Sequence, residues 1–426
     1  MIRNYEFRKQ VLDNAPLNFH YQIITVFIVS PHSTKGRHMG LPLPLNNSLI
    51  PSIIAKTPTM KYALFITSLV ISSFSFAQQK QKIENVIVVT FDGYRWQELF
   101  GGAQKKILNV KKYAGDIKKM KAQYWDKDAT VRREKVMPFF WNTIAKQGQI
   151  YGNKKLGNRV TLTNGYKFSF PGYNEIFTGW GDKRINSNGY GDDPNQNIFD
   201  FLLTQKGFDG KMAAFATWDA FPKIINDKRN HVPVFVDMKP NAKGGINIKG
   251  VDIEQWQTTM PPHNPYVKTD SFTYHFAKEY LHRNHPRFAF IGFDETDDYA
   301  HDGNYSAYLN TATTLDRYMK DLWNFVQSDP QYKDKTTIII TCDHGRGDIP
   351  NLEWRHHGHV LHAENIWIAA LGAGITPKGE VKEKMMLHQN QIAATIAALF
   401  GYVYKVDHFS GEPITEISGV VGVKEK

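Results

Sequence analysis

The run "NVIVVTF" at residues 85–91 is the feature that most restricts what this chain can become. It is mostly β-branched, shows no alternation of polar and apolar positions, and ends in Asp92-Gly93. Such a run describes a strand buried on both faces, which requires a sheet covered by helices on both sides. The pattern recurs in "KMAAFAT" (211–217), "RFAFIGF" (287–293) and "TTIIIT" (336–341). Stretches at helical spacing lie between the runs: "MPFFWNTIAKQG" (137–148), closed by Gly148, then 305–326 and 388–400. Strands alternating with helices predict an α/β fold, a three-layer αβα sandwich around a mostly parallel sheet. Two polar regions interrupt it. Residues 101–135 are lysine-rich, and residues 219–271 carry Pro, Gly and Asn throughout and read as a cap-like insertion beside the site.

The chain has 426 residues, 42% hydrophobic and 22% charged, enough for a large core. Its net charge is +11, but residues 1–77 hold seven Lys/Arg against two Asp/Glu, about half of the excess. The remainder is spread with both signs mixed, and no dense basic stripe appears. Specific nucleic-acid binding is therefore not expected, whereas a mild positive field suits a small anionic substrate. Cys342 is the only cysteine, so no intramolecular disulfide can form.

"MKYALFITSLVISSFSFAQQ" starts at Met60 with a basic Lys61, an apolar run over 62–76 and Ser75-Phe76-Ala77 as a small-x-small cleavage site. This is a secretory signal peptide pattern over 60–77, short for a membrane span. It predicts a periplasmic or secreted mature protein without a membrane span. Residues 1–59 show neither helical nor strand periodicity and are expected to be a mistranslated upstream extension. Residues 78–426 then form a single catalytic domain.

Ligands of doubly wound sheets bind at the carboxyl ends of strands. There, "NVIVVTF" ends in Asp92-Gly93, "RFAFIGF" runs into "DETDDYAH", and "TTIIIT" ends in Cys342-Asp343-His344-Gly345, with "WRHHGHVLH" further on. Asp297 and His301, four apart, share a face if that segment is helical. The adjacent Asp343 and His344 point in different directions and either serve two metals or wrap one. Asp and His together suit a borderline divalent ion, Zn²⁺ above all. Alone, an Asp-Gly is an ordinary turn and a DxxxH an ordinary solvated helix face. Three such motifs, each following a buried strand, point to a two-metal hydrolytic site.

"YKFSFPGYNEIFTG" (166–179) places Ser169 between two phenylalanines, just before Pro171. A short helix is expected over 174–178. Ser169 is then either a helix N-cap or a nucleophile held at the positive end of a helix.

Together these motifs resemble the alkaline phosphatase superfamily, and within it the type I phosphodiesterase, or nucleotide pyrophosphatase, branch. The resemblance covers roughly 85–400, with motifs in family order. It includes "TFDGYR", "SFPGYNEIFTG" with its Thr-Gly eight residues past Phe170, "DETDDYAH", Asp343-His344-Gly345 and a final His-Gly. It implies one divalent metal held by Asp297, His301 and His357, and a second held by Asp92, Asp343 and His344 with Ser169 bridging toward it. His356, His359 and His362 compete with His357, which fits best because Gly358 follows it. Asn188 of "INSNG" takes the place of an asparagine that contacts a phosphoryl oxygen, with Asn186 as competitor. The implied reaction is two-step phosphoryl transfer through a phosphoserine, with donors from the helix N-terminus behind Ser169.

The match departs from the branch at Ser169, where threonine is usual, and at Gly172-Tyr173, where Asn-His is usual. Those departures bear on substrate preference, for which Tyr173 and Trp218 are candidate contacts. A phosphomonoesterase on the same scaffold is the alternative. It needs added cations, for which Arg95, Lys167, Lys183, Arg184, Arg229 and Arg355 are candidates. A non-catalytic metal- or ligand-binding protein is the remaining reading. Tyr173 stands where a sulfatase has arginine in the motif that yields formylglycine, which argues against a sulfatase.

Overall fold

In the computed structural model, the structure describes residues 83–236, 247–248, 251–252, 269–349 and 352–419. The upstream extension, the leader at 60–77 and the middle of the expected insertion lie outside the described residues, apart from a small antiparallel pairing of Asn247–Ile248 with Val251–Asp252.

Eight strands form the main sheet: β1 (Asn85–Phe91), β2 (Gln149–Tyr151), β3 (Met212–Ala216), β4 (Val234–Phe235), β5 (Phe288–Phe293), β6 (Thr336–Thr341), β7 (Ile368–Gly372) and β8 (Gly379–Glu380). Their spatial order is β8-β2-β7-β6-β1-β5-β3-β4. β1 pairs parallel with β5 on one side and β6 on the other, and β5, β3 and β4 continue in parallel. β7 runs antiparallel to both neighbours, β6 and β2. Every residue of β1, β5 and β6 is buried, so both faces of the central sheet are covered. The four runs picked out in the sequence are β1, β3, β5 and β6. The sandwich and its mostly parallel sheet are as expected.

Six helices matter for the site: α1 (Trp96–Gly101), α2 (Ser169–Thr178), α3 (Asp270–Asn284), α4 (Glu295–His301), α5 (Tyr305–Ser328) and α6 (Ile392–Leu399). α5 is the expected amphipathic helix, started by Asn304, whose side chain accepts from Ala307 N. Asp316 on its buried face accepts from Phe139 N and Phe140 N at 2.8 Å each and so starts the 137–148 helix, which contains a π turn at Phe140–Ile144. Residues 388–400 differ from expectation. His388 ends the strand Met385–His388, Gln389–Gln391 is a 3₁₀ turn, and only Ile392–Leu399 is α-helical.

The region expected as an insertion overlaps the core at both ends. Phe221–Ile225 and Asp227–Asn230 are helices leading into edge strand β4, where Phe235 stacks on Phe215 at 5.2 Å. At the far end Asp270 and Ser271 open α3. Polar composition concealed these parts because an edge strand of two residues carries no periodicity. Among the described residues, no helix is long and apolar enough to cross a membrane.

Asp193, in the loop that carries Asn188, is fully buried, and burial pushes its carboxyl up to about 7. Its Oδ1 accepts from Asn195 N at 2.9 Å, while Oδ2 has no hydrogen-bond partner among the described residues. Its folded pKa lies above the unfolded value of about 3.9, so its stabilisation is full below that value and is lost as pH rises through about 7. Asp193→Asn should therefore flatten the pH dependence of the melting temperature between about 4 and 7. An unchanged slope in thermal melts would refute this.

Candidate active site

Three parallel strands end side by side, and each delivers a carboxylate. Asp92 follows β1, Asp297 lies in α4 just past β5, and Asp343-His344 follows β6. His344 Nε2 lies 3.4 Å from Asp92 Oδ1, 3.5 Å from Asp297 Oδ1 and 3.5 Å from Asp343 Oδ2. His301 Nε2 lies 3.2 Å from Asp297 Oδ2 and 2.9 Å from His357 Nε2. Ser169 Oγ sits 3.4 Å from His344 Nε2. The metal-ligand candidates of the sequence thus converge on one centre. His357 is the histidine that turns inward, while His356 and His359 are exposed.

The donor set fits divalent cations. Asp92, Asp343 and His344 can hold one ion, and Asp297 and His357 with His344 can hold another. Asp92 Oδ1 and Asp343 Oδ2 are buried with no hydrogen-bond partner among the described residues. Orphaned carboxylate oxygens are costly unless a cation meets them. Burial, then the neighbouring Asp297, pushes the Asp92 carboxyl far above its usual range, and burial with Asp92 does the same to Asp343. Burial, reinforced by His344, depresses His357 to about 2, which keeps the imidazole neutral and able to ligate.

Hydrogen bonds behind the ligands hold them in place. Tyr173 donates its hydroxyl to Asp92 Oδ2 at 2.9 Å, Gly93 N donates to Asp343 Oδ1 at 3.0 Å, and His344 Nδ1 faces Gly345 O at 2.9 Å. The Gln389 amide donates to the carbonyls of Cys342 at 3.0 Å and Asp343 at 2.9 Å. Tyr173 corrects the sequence reading. It is 1% exposed, packs edge-on to Phe221 at 4.6 Å, and supports a ligand instead of facing a substrate. Trp218 is half-buried at the end of β3, its ring edge-on to Phe221 at 6.3 Å.

Two expectations about Ser169 also change. It is not the cap of a short 174–178 helix. Phe168 is the N-cap and Ser169 the first residue of α2, which runs through Pro171. Proline is tolerated there because the first N–H groups of a helix have no internal partner. Nor does the helix present a row of free donors. Phe170 N donates to Asn188 Oδ1 at 3.0 Å, Pro171 has none, and Gly172 N donates to Phe168 O at 3.0 Å. Ser169's own N–H remains. Asn188 is the asparagine that reaches the helix, and its Nδ2 is the group left to meet a ligand.

Several residues that organise the site carried no signal of that role in the sequence. The fully buried Arg346 guanidinium donates to Asp297 Oδ1 and holds that carboxyl well below its usual range, against the burial that would raise it. Lys167 adopts the left-handed φ of 59°, with its N–H accepted by Asn164 Oδ1 at 2.9 Å, and its carbonyl accepts from Gly358 N at 3.0 Å. That bond ties the Ser169 turn to the His357 loop. Glu175 in α2 accepts four hydrogen bonds from Thr163 and Asn164 and fixes the preceding loop.

Residues 257–403 match the family model described as Metalloenzyme superfamily. Among solved structures, the chain is similar to the lipoteichoic acid synthase LtaP from Listeria monocytogenes. The identity is 14% over 79% of this chain and 77% of that one, with a TM-score of 0.52. It is also similar to wild-type alkaline phosphatase PafA, at 13% identity over 79% of this chain and 99% of that one, with a TM-score of 0.50. At such identities the likeness is one of fold. No curated protein matches the chain in sequence.

Proposed function

On the premise that this chain has the fold of the alkaline phosphatase superfamily, we propose that it is a secreted, metal-dependent hydrolase of phosphoric esters. Its preferred bonds are phosphodiester or nucleotide pyrophosphate bonds, and Ser169 is its nucleophile. One observation carries the reading: carboxylates from three strand ends meet at His344, which lies 3.4 Å from Ser169 Oγ, and two of their buried oxygens have no hydrogen-bond partner among the described residues.

Asp92, Asp343 and His344 would hold one divalent cation, and Asp297, His301 and His357 the other, with Zn²⁺ the metal this donor set suits best. Two such ions supply charge for the nucleophile and for the departing oxygen of an in-line displacement. Ser169 Oγ gives up its proton to solvent and attacks phosphorus as the P–O bond to the leaving alcohol or phosphate breaks, and water then attacks the phosphoserine, breaks its Oγ–P bond and restores the hydroxyl. α2 fixes the position of that oxygen, and the Phe170 N–H orients the Asn188 amide so that its Nδ2 meets a phosphoryl oxygen.

Five of the six candidate cations are already engaged, which supports diesters over monoesters, while the sixth, Lys183, is exposed. A dianionic monoester needs free positive charge at its extra oxygen. Arg95 is paired with Glu98, Lys167 with Glu364, Arg184 with Asp182 and Arg229 with Asp200. Arg355 donates to His301 O at 2.6 Å. The protein is therefore expected to turn over bis-p-nitrophenyl phosphate faster than p-nitrophenyl phosphate, to lose activity in EDTA, and to regain it best with Zn²⁺. Faster cleavage of the monoester would favour the phosphatase alternative, and activity indifferent to EDTA would rule out both.

A further inference from the structure

A second cleft, of about 420 Å³, opens beside α1, away from Ser169. Trp96 and Trp125 wall it, and Lys105, Lys106, Lys155 and Arg132 converge on it. Lys105, Lys106 and Lys155 are exposed, and no carboxylate among the described residues lies within ion-pair distance of them. The Lys155 ammonium reaches over Gly101, where an added Cβ would lie 4.0 Å from it. Arg132 is fixed by donating to Gly101 O at 2.6 Å and Asp126 O at 2.7 Å, and its guanidinium lies 4.6 Å from the Trp125 ring centroid. Lys105 Nζ approaches the same ring at 5.7 Å. The one acid in the lining, Asp348, is already occupied by the Gln97 amide and by Lys154 at 3.7 Å. Trp96 is 6% exposed, and its indole N–H has no acceptor among the described residues.

Four cations lining one concavity raise a local positive potential that favours an anion there. We propose that this cleft binds the oxyanion of a phosphorylated or sulfated ligand. Lys105, Lys155 and Arg132 supply the charge, and the Trp96 and Trp125 rings wall the site. The ring faces already carry cations, so the ligand is recognised by its charged group and not by stacking. The cleft shares its loops with the active site. Trp96 lies four residues past Asp92, and Asp348 four past His344. The oxyanion belongs either to a second charged group of the substrate or to a separate ligand.

Tryptophan fluorescence of the full chain, titrated with inorganic pyrophosphate, tests this without turnover. Saturable binding is expected to survive in Asp343→Asn and to weaken about tenfold or more in Lys105→Glu/Lys155→Glu. The control Lys206→Glu/Lys333→Glu makes the same change of net charge at exposed positions outside the cleft lining and should bind as the wild type does. Unchanged affinity in the cleft variant, or equal loss in the control, overturns the proposal. Kinetics then separate the two sources. If the cleft variant raises KM for a diester with a terminal phosphate but not for bis-p-nitrophenyl phosphate, the oxyanion is the substrate's own. If both KM values hold while pyrophosphate affinity falls, it comes from a separate ligand.

Discussion

Ser169→Ala is expected to lower kcat on bis-p-nitrophenyl phosphate by about a thousandfold or more, with the fold and bound metal retained. The side chain is small and buried, and its Oγ makes one long approach, 3.4 Å to His344 Nε2. It caps nothing, since Phe168 holds the N-cap position of α2. Removing the oxygen therefore costs little stability and leaves the six carboxylate and imidazole ligands in place. A structural role would produce the opposite pattern, with a lower melting temperature and near-normal turnover. Wild-type kcat in the alanine variant would sink the serine mechanism, and metal analysis of the same sample would show that the centre had survived.

Asp343→Asn should reduce metal affinity by about a hundredfold or more, because loss of a supporting contact alone commonly costs 10–100-fold. The asparagine oxygen can still accept from Gly93 N, as Asp343 Oδ1 does at 3.0 Å, so the β6 loop keeps its shape. What disappears is the charge on Oδ2, the oxygen without a partner. The same substitution has a second, opposite effect once metal is stripped. Burial and Asp92 hold the folded Asp343 carboxyl above its unfolded value of about 3.9. Its stabilisation is thus full below that value and is lost as pH rises through the raised one. In EDTA at neutral pH the variant should melt higher than the wild type, and with metal present it should melt lower. Equal metal content in the two proteins would remove Asp343 from the ligand set.

The sequence exposed those parts of the molecule that repeat a simple physical rule. β1, β3, β5 and β6 are continuous apolar runs because both faces of the sheet are covered, and the acids at their ends stand out against them. The antiparallel course of β7 left no trace in "IAALG", because strand direction is set by the connection and not by composition. Tyr173 was misread because its place in the motif says nothing about which way a helical side chain points. Arg346 and Gln389 were passed over for a related reason, and Lys167 was singled out only as a candidate cation. Each works through a partner far along the chain, such as Gln389 reaching Cys342 O, and no local spacing marks such a pairing. The oxyanion cleft is similar, since Lys105 and Lys155 meet only in the folded chain.

Gly172 has no room for even one more carbon. A Cβ there would stand 2.5 Å from the Asp343 carbonyl oxygen, so bare backbone of α2 rests on the backbone of the loop after β6. The gap between the start of α2 and the Asp343 loop is therefore set by two main chains in contact, with no side chain to act as an adjustable shim. It cannot be tuned by degrees through position 172, where the smallest enlargement pries nucleophile and ligands apart together.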